Sequence, residues 1–241
     1  MAINHYDYNA IKAFMDELRV LSPDKPMLFL SNGVGYIACD TKERNPPEDG
    51  YNRYDDAGQA AMVARTMYTW WALDTDVAPY YISIRSIVRN GMREPLWYGF
   101  FGFMDFIIDE HENARFHRYP AWYAYRTIAS VFHDRRAFRD PTFAVSADAT
   151  SSVYCRAYER KGRELLVMLW AEDGKPGTAT VRIGTQAYGY PVRVALLNHE
   201  VWSDAPGIAE AGGVALRDVP VGMAPTILRL VAPRLARRSV R

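Results

Sequence analysis

The residues able to do chemistry in this chain are carboxylates, aromatics and arginines spread over its first hundred positions. Asp40 and Glu43 lie in the charged stretch "DTKERNPPEDGYNRYDD", and Glu94 lies in "REPLWYG" with Trp97 and Tyr98 beside it. Carboxylates act as general acids, bases or nucleophiles when rigid elements hold them. Indole and phenol rings stack on the apolar face of a sugar ring. In "VAPYYISIRS" the alternation of a strand puts Tyr81 and Arg85 on one face and Tyr80 on the other. Arg85 then suits a hydroxyl or carboxylate contact. Against these stand plainer readings: loop carboxylates are ordinarily solvated, and Glu94 pairs readily with Arg93 or Arg85.

Other chemistries are poorly supported. Ser31 in "PMLFLSNG" needs an adjacent base to act as a nucleophile, and no Ser/His/Asp arrangement can be placed. The plain reading of Ser31, Asn32 and Gly33 is a strand-to-loop turn, with Asn-Gly supplying positive φ at low cost. The five histidines show no i, i+4 pair and no cysteine partner, so no metal site is expected. "GVG" is too short for a phosphate cradle and opens no helix, so no cofactor is expected. Cys39 and Cys155 read as small, mostly buried hydrophobes.

The elements that must position these groups fall into two styles. Residues 9–21 place Ile11, Phe14, Met15, Leu18 and Leu21 on one helical face, with Asn9 as N-cap. "MLFL" is a short, continuously apolar strand of the kind buried in a parallel sheet. A helix follows over 57–72, then a strand over 77–86, a Gly/Pro/aromatic-rich loop, and a helix in "PAWYAYRTIASVFHD". Strands alternating with helices mean a parallel α/β layer. Trp70, Trp71, Trp122 and Tyr123 sit on helices with apolar periodicity and read as packing. From residue 153 onward only strand-like runs remain: 153–160, 164–171, 177–183, 192–197, 214–219 and 225–231. Turn signals such as "KG" and "EDGKPG" separate them, which describes an antiparallel sandwich with Trp170 in its core. The expected domains are 1–140, 141–233 and a disordered basic tail over 234–241.

A chain of 241 residues with 49% apolar and 13% aromatic content is globular. Its net charge of +1 argues against a dedicated nucleic-acid or membrane-surface role. No apolar run reaches the roughly 18 residues of a membrane span. "MAINHYDYNA" is no leader, so the chain as written is expected in the cytoplasm.

In order, these pieces resemble the C-terminal part of a retaining glycoside hydrolase of clan A, whose catalytic domain is a (β/α)8 barrel. "INHYDYNAIKAFMDEL" resembles the end of barrel strand six and helix six. "DKPMLFLSNG" resembles strand seven, and "GQAAMVARTMYTWWALDTDVAPYYISIRS" helix seven with strand eight. "EPLWYGFFGFMD" and "RYPAWYAYRTIASVF" look like the loop and helix that close the barrel, and "VYCRAYERKGRELLVMLWA" like the trailing β-sandwich. The fold class implied is a partial (β/α)8 barrel, about strands six to eight, followed by an antiparallel sandwich.

That resemblance implies carbohydrate as partner and His5, Tyr6, Asn32, Tyr81, Arg85, Glu94, Trp97 and Tyr98 as contact residues. It also implies what is missing. Retaining enzymes hold two carboxyl groups about 5–5.5 Å apart. The segment that would carry the acid/base is not in this chain, and the nucleophile position holds Ser31 or Asn32, according to register. The expectation is a truncated or degenerate glycosidase, inactive as an isolated chain. The rival expectations are a non-catalytic carbohydrate-binding or scaffold protein, and one half of a split glycosidase completed by a second chain.

Overall fold

A computed structural model describes residues 8–21, 23, 37–38, 53–72, 84–95, 102–134, 137–195, 201–204, 207–210 and 212–232. The chain divides into two compact units, Met1–His133 and Asp134–Arg241. In the first unit come helix α1 (Tyr8–Leu21), strands β1 (Ile37–Ala38) and β2 (Arg53–Tyr54), and helix α2 (Asp56–Ala72). Strands β3 (Ile84–Arg89), β4 (Met92–Pro95), β5 (Met104–Ile108) and β6 (Ala114–Arg118) follow, then helix α3 (Pro120–Val131). Helix α1 starts one residue before the expected cap, so Asn9 lies in its first turn. Leu21, expected on the apolar face, is exposed at the helix end.

Helix α2 begins where Asp55 stops it from fraying: the carboxylate accepts the Gly58 amide at 2.6 Å, satisfying a donor the helix leaves open. Its Ala60, Ala61 and Ala64 are buried, as are Ala121 and Ala124 of α3, and the two helices pack together. Small side chains permit that close approach. Tyr68, Trp71 and Phe132 close the far end in edge-on contacts, with Trp71 and Phe132 at 4.4 Å. Trp71 and Trp122 are both half-buried: Trp71 packs on Phe132, and Trp122 lies edge-on to Tyr123 under the guanidinium groups of Arg118 and Arg126.

The stretch expected as loop after residue 86 is largely sheet. Strands β3 to β6 form a mixed sheet in the order β4-β3-β5-β6, with β3 and β5 parallel and the outer pairs antiparallel. Asn90 and Gly91 both have positive φ, 50° and 79°. That is the two-residue hairpin geometry whose twist matches the strands it joins. Asp109 closes the next turn, accepting from Asn113 and from the His111 amide. Those bonds, Asn113 first, hold its carboxyl below the usual carboxylate range. The strand expected over 77–86 is described from Ile84 and runs on to Arg89. "PMLFLSNG" lies outside the described residues, as does the tail from 233.

The described elements of the second unit are strands. Strands β7 (Val145–Ala149), β8 (Val153–Arg160), β9 (Glu164–Ala171), β10 (Gly177–Ile183) and β11 (Gly189–Ala195) come first. Strands β12 (Val201–Asp204), β13 (Gly207–Glu210), β14 (Gly213–Val221) and β15 (Thr226–Val231) complete it. They make two antiparallel sheets, β13-β14-β10-β7 and β12-β11-β15-β9-β8. Strands β7, β12 and β13 have only four or five residues each, too short for their periodicity to stand out in the sequence.

One core joins the two sheets: Leu165, Val167, Leu169, Leu228 and Leu230 on one side, Val181, Ile183, Leu216 and Val219 on the other. Strand β9 is buried along its whole length. Its alternate residues Leu166, Met168 and Trp170 therefore lie on the face away from that core. Trp170 is buried there, stacked on Tyr154 at 3.9 Å between centroids. Cys155 is a free thiol packed against the core, and burial pushes its pKa up to about 11; Cys39 lies outside the described residues. Gly213 is required by space, since a Cβ there would meet the Ile183 carbonyl oxygen at 2.3 Å.

Two outcomes follow for this unit. Leu169→Ala removes a fully buried side chain from the core and is expected to cost about 2–5 kcal/mol, read as a fall in the urea midpoint. Buried Tyr188 donates to Glu159, and burial first, then Glu159, raises its phenol to about 12 from an ordinary 10. The unfolded chain then loses this proton before the folded one does. Stability is full below pH 10 and declines toward about pH 12, and Tyr188→Phe should flatten that part of the profile relative to the parent.

Candidate functional site

A single aspartate interrupts the apolar strand β5, "MDFII". Asp105 is only 2% exposed. A carboxylate so placed is tolerated only when donors satisfy it, and each neighbouring element supplies one. Ser86 of β3 lies directly opposite in the parallel register and donates its hydroxyl to Asp105 Oδ1 at 2.5 Å. Arg93 of β4 reaches across β3 and donates from Nη2 to Oδ2 at 2.6 Å. Tyr119, between β6 and α3, donates its hydroxyl to Oδ2 at 2.7 Å and accepts from Arg93 Nη2 at 2.8 Å.

The pleat explains the convergence. Ser86 pairs with Pro95 on one side and Asp105 on the other, and Asp105 pairs with His117 of β6. Residues directly opposite one another share a face, and Arg93 is two residues from Pro95. Arg93, Ser86, Asp105 and His117 therefore line one face of the sheet. Tyr119 is the residue just before α3, and its side chain makes no cap bond to that helix. Its hydroxyl is committed to the aspartate instead. His117 is exposed, edge-on to the Tyr119 ring at 4.9 Å.

Electrostatically the cluster is an ion pair with a wet side and a dry side. The Asp105 side chain is 3% exposed and that of Arg93 is 42% exposed. Partial desolvation works to lower the Arg93 pKa, but Tyr119 and Asp105 outweigh it and leave the value raised. Asp105 meets three donors and its side chain is 3% exposed, so neither oxygen is presented to a substrate. What the arrangement can do is fix a guanidinium: both bonds described leave from Nη2, and a guanidinium carries five N–H donors.

Of the residues singled out from sequence, Glu94 and Arg85 fall within described strands. Glu94 is exposed in β4, opposite Ile87. Arg93, offered as its ion-pair partner, instead pairs with Asp105, because Arg93 and Glu94 are neighbours on a strand and point to opposite faces. Arg85 lies in β3, beside a register irregularity between Ile84 and Ser86. His5, Tyr6, Ser31, Asn32, Tyr81, Trp97 and Tyr98 lie outside the described residues, as do Asp40 and Glu43. Sequence reasoning missed Asp105, and its signal was available: a lone acidic residue inside an otherwise apolar strand. Among the described residues no group of three His, Cys, Asp or Glu is placed to hold a metal. No described helix is long and apolar enough to cross a membrane.

Asp105→Asn keeps the shape and removes the charge. With Arg93 able to be solvated, the expected loss is about 1–3 kcal/mol, and about 1 kcal/mol for Tyr119→Phe. Urea denaturation reads both; an Asp105→Asn chain as stable as the parent would show that the carboxylate does not organise this sheet.

No family model and no curated protein matches the sequence. Among solved structures, the chain is similar to the catalytic domain of the GH30 xylanase C from Talaromyces cellulolyticus, with 11% identity and TM-score 0.42. That match covers 73% of this chain and 35% of the xylanase domain. It is also similar to the glycoside hydrolase family 30 subfamily 8 xylanase from Clostridium acetobutylicum, with 14% identity and TM-score 0.42, covering 76% of this chain and 41% of that one. The chain therefore spans less than half the length of either xylanase chain, and at these values the likeness carries no functional argument.

Proposed function

We propose that this chain is a glycoside-hydrolase-like protein that binds carbohydrate and does not hydrolyse it by the two-carboxylate route. The observation that carries the reading is the state of Arg93. Its guanidinium is anchored from behind by Asp105 and Tyr119 while 42% of its side chain faces solvent. A planar donor fork fixed in this way bridges neighbouring hydroxyls of a sugar at little further entropic cost. His117 adds an exposed polar ring on the same face. Trp97 and Tyr98 are the contacts that the sequence resemblance adds; Glu94, also offered by it, lies on the opposite face of β4 from Arg93. Asp105, the buried carboxylate behind Arg93, is engaged by its own donors and supplies no nucleophile. The Ser31-Asn32 pair at the resembled nucleophile position supplies none either.

The test pairs binding with turnover, on oligosaccharides and aryl glycosides. Saturable glycan binding is expected, weakened about tenfold in Arg93→Lys, which keeps the charge and loses the fork; equal melting temperatures would exclude unfolding as the cause. Turnover of an aryl glycoside that disappears in Asp40→Asn or Glu43→Gln would overturn the non-hydrolytic reading. Absence of binding at millimolar sugar would overturn the carbohydrate reading.

A further inference from the structure

We propose that strand β6 is a docking edge for an extended acidic peptide segment of another protein, which would add to the mixed sheet as a further strand. Strands β4 and β6 are the two edges of the described sheet, and all five side chains of β6, Ala114 to Arg118, are exposed. The direction of its backbone groups follows from two bonds at the ends of the β5–β6 ladder. Tyr119 donates its amide to the Phe103 carbonyl, and Asp109 donates to the Asn113 carbonyl. Antiparallel pairs alternate between bonded and non-bonded. Between those two ends, Asp105–His117 and Ile107–Arg115 are therefore the bonded pairs. The amides and carbonyls of Ala114, Phe116 and Arg118 point away from β5, an open row of donors and acceptors.

Charge selects the occupant. Arg115 and His117 lie on one face of β6 and Arg118 on the other, with Phe116, 47% exposed, between them. A second copy pairing antiparallel about Phe116 would set Ala114 opposite Arg118 and Arg115 opposite His117, so neither arginine would meet a carboxylate across the pair. Glutamates at those positions meet both faces, and a β-branched residue between them covers the Phe116 ring beside Phe106. The hairpin tip carries Asp109, Glu110 and Glu112, and Arg115 also attracts Asp109. A docked peptide would therefore keep its acidic positions toward the Arg118 end. The proposal does not depend on the carbohydrate reading.

The probe is a fluorescein-labelled peptide centred on Glu-Glu-Val-Glu-Glu, which sets valine opposite Phe116 and glutamate opposite Arg115, His117 and Arg118 in either strand direction, titrated with the full chain and followed by anisotropy. Saturable binding is expected, weakened about tenfold by the double change Arg115→Glu with Arg118→Glu and by raised salt. The same peptide N-methylated at alternate residues keeps its charge and cannot pair as a strand, so it is expected not to bind. Equal binding of the methylated peptide, equal binding of the lysine–valine counterpart, or no saturable binding of the parent peptide would each overturn the proposal.

Discussion

A carboxylate withdrawn from water inside a sheet is the constraint on which the first unit turns. Asp105 sits where solvent is excluded, and the desolvation of its charge must be offset on the spot. Ser86, Arg93 and Tyr119 do so from three different elements, which ties β3, β4 and the approach to α3 to one side chain on β5. The same demand fixes Tyr119 in place immediately before Pro120, so α3 starts where the aspartate's partner must be. Sheet order, helix start and the exposure of the Arg93 guanidinium all follow from satisfying one charge.

The second unit answers a similar demand differently. Glu164 is buried at the start of β9 and accepts from Arg229 Nε at 2.7 Å, with Arg160 at 3.6 Å. Here the ion pairs lie at the end of the sheet, and the body of the unit rests on apolar packing between two sheets. The contrast separates stability from display. The second unit spends its apolar residues on a core, whereas the first carries its polar groups on an open sheet face.

How much of this was legible in the sequence depends on how local the signal is. Strands β8, β9 and β10 have the bounds read from sequence, because turn residues bracket continuous apolar or alternating runs. Helices α2 and α3 start within a residue of where their patterns begin, at an aspartate cap and a proline. Beyond the first residues of β3, which were read as strand, the β3–β6 sheet was read as loop, although "IVRNGMR" carries the Asn-Gly signal of a tight hairpin between alternating residues. Glycines, prolines and aromatics nearby outweighed it. The candidate site was illegible for a different reason. Ser86, Arg93, Asp105 and Tyr119 are spread over thirty-odd residues (from 86 to 119), and only strand pairing brings them together. Long-range register is not written in any one stretch.

The Asn90-Gly91 turn gives that register a sharp dependence on chain length. Two residues, both with positive φ, set Val88 opposite Arg93 and thereby aim Arg93 at the aspartate's side of the sheet. Lengthening or shortening β4's path by one residue would carry Glu94 or Met92 to that position and turn the arginine outward to the other face. Relatives of this chain that differ by a single insertion here would thus keep every residue of the cluster in their sequence and lose the cluster in space. For such sequences, counting the residues between Ser86 and Arg93 is a better guide to function than their identity.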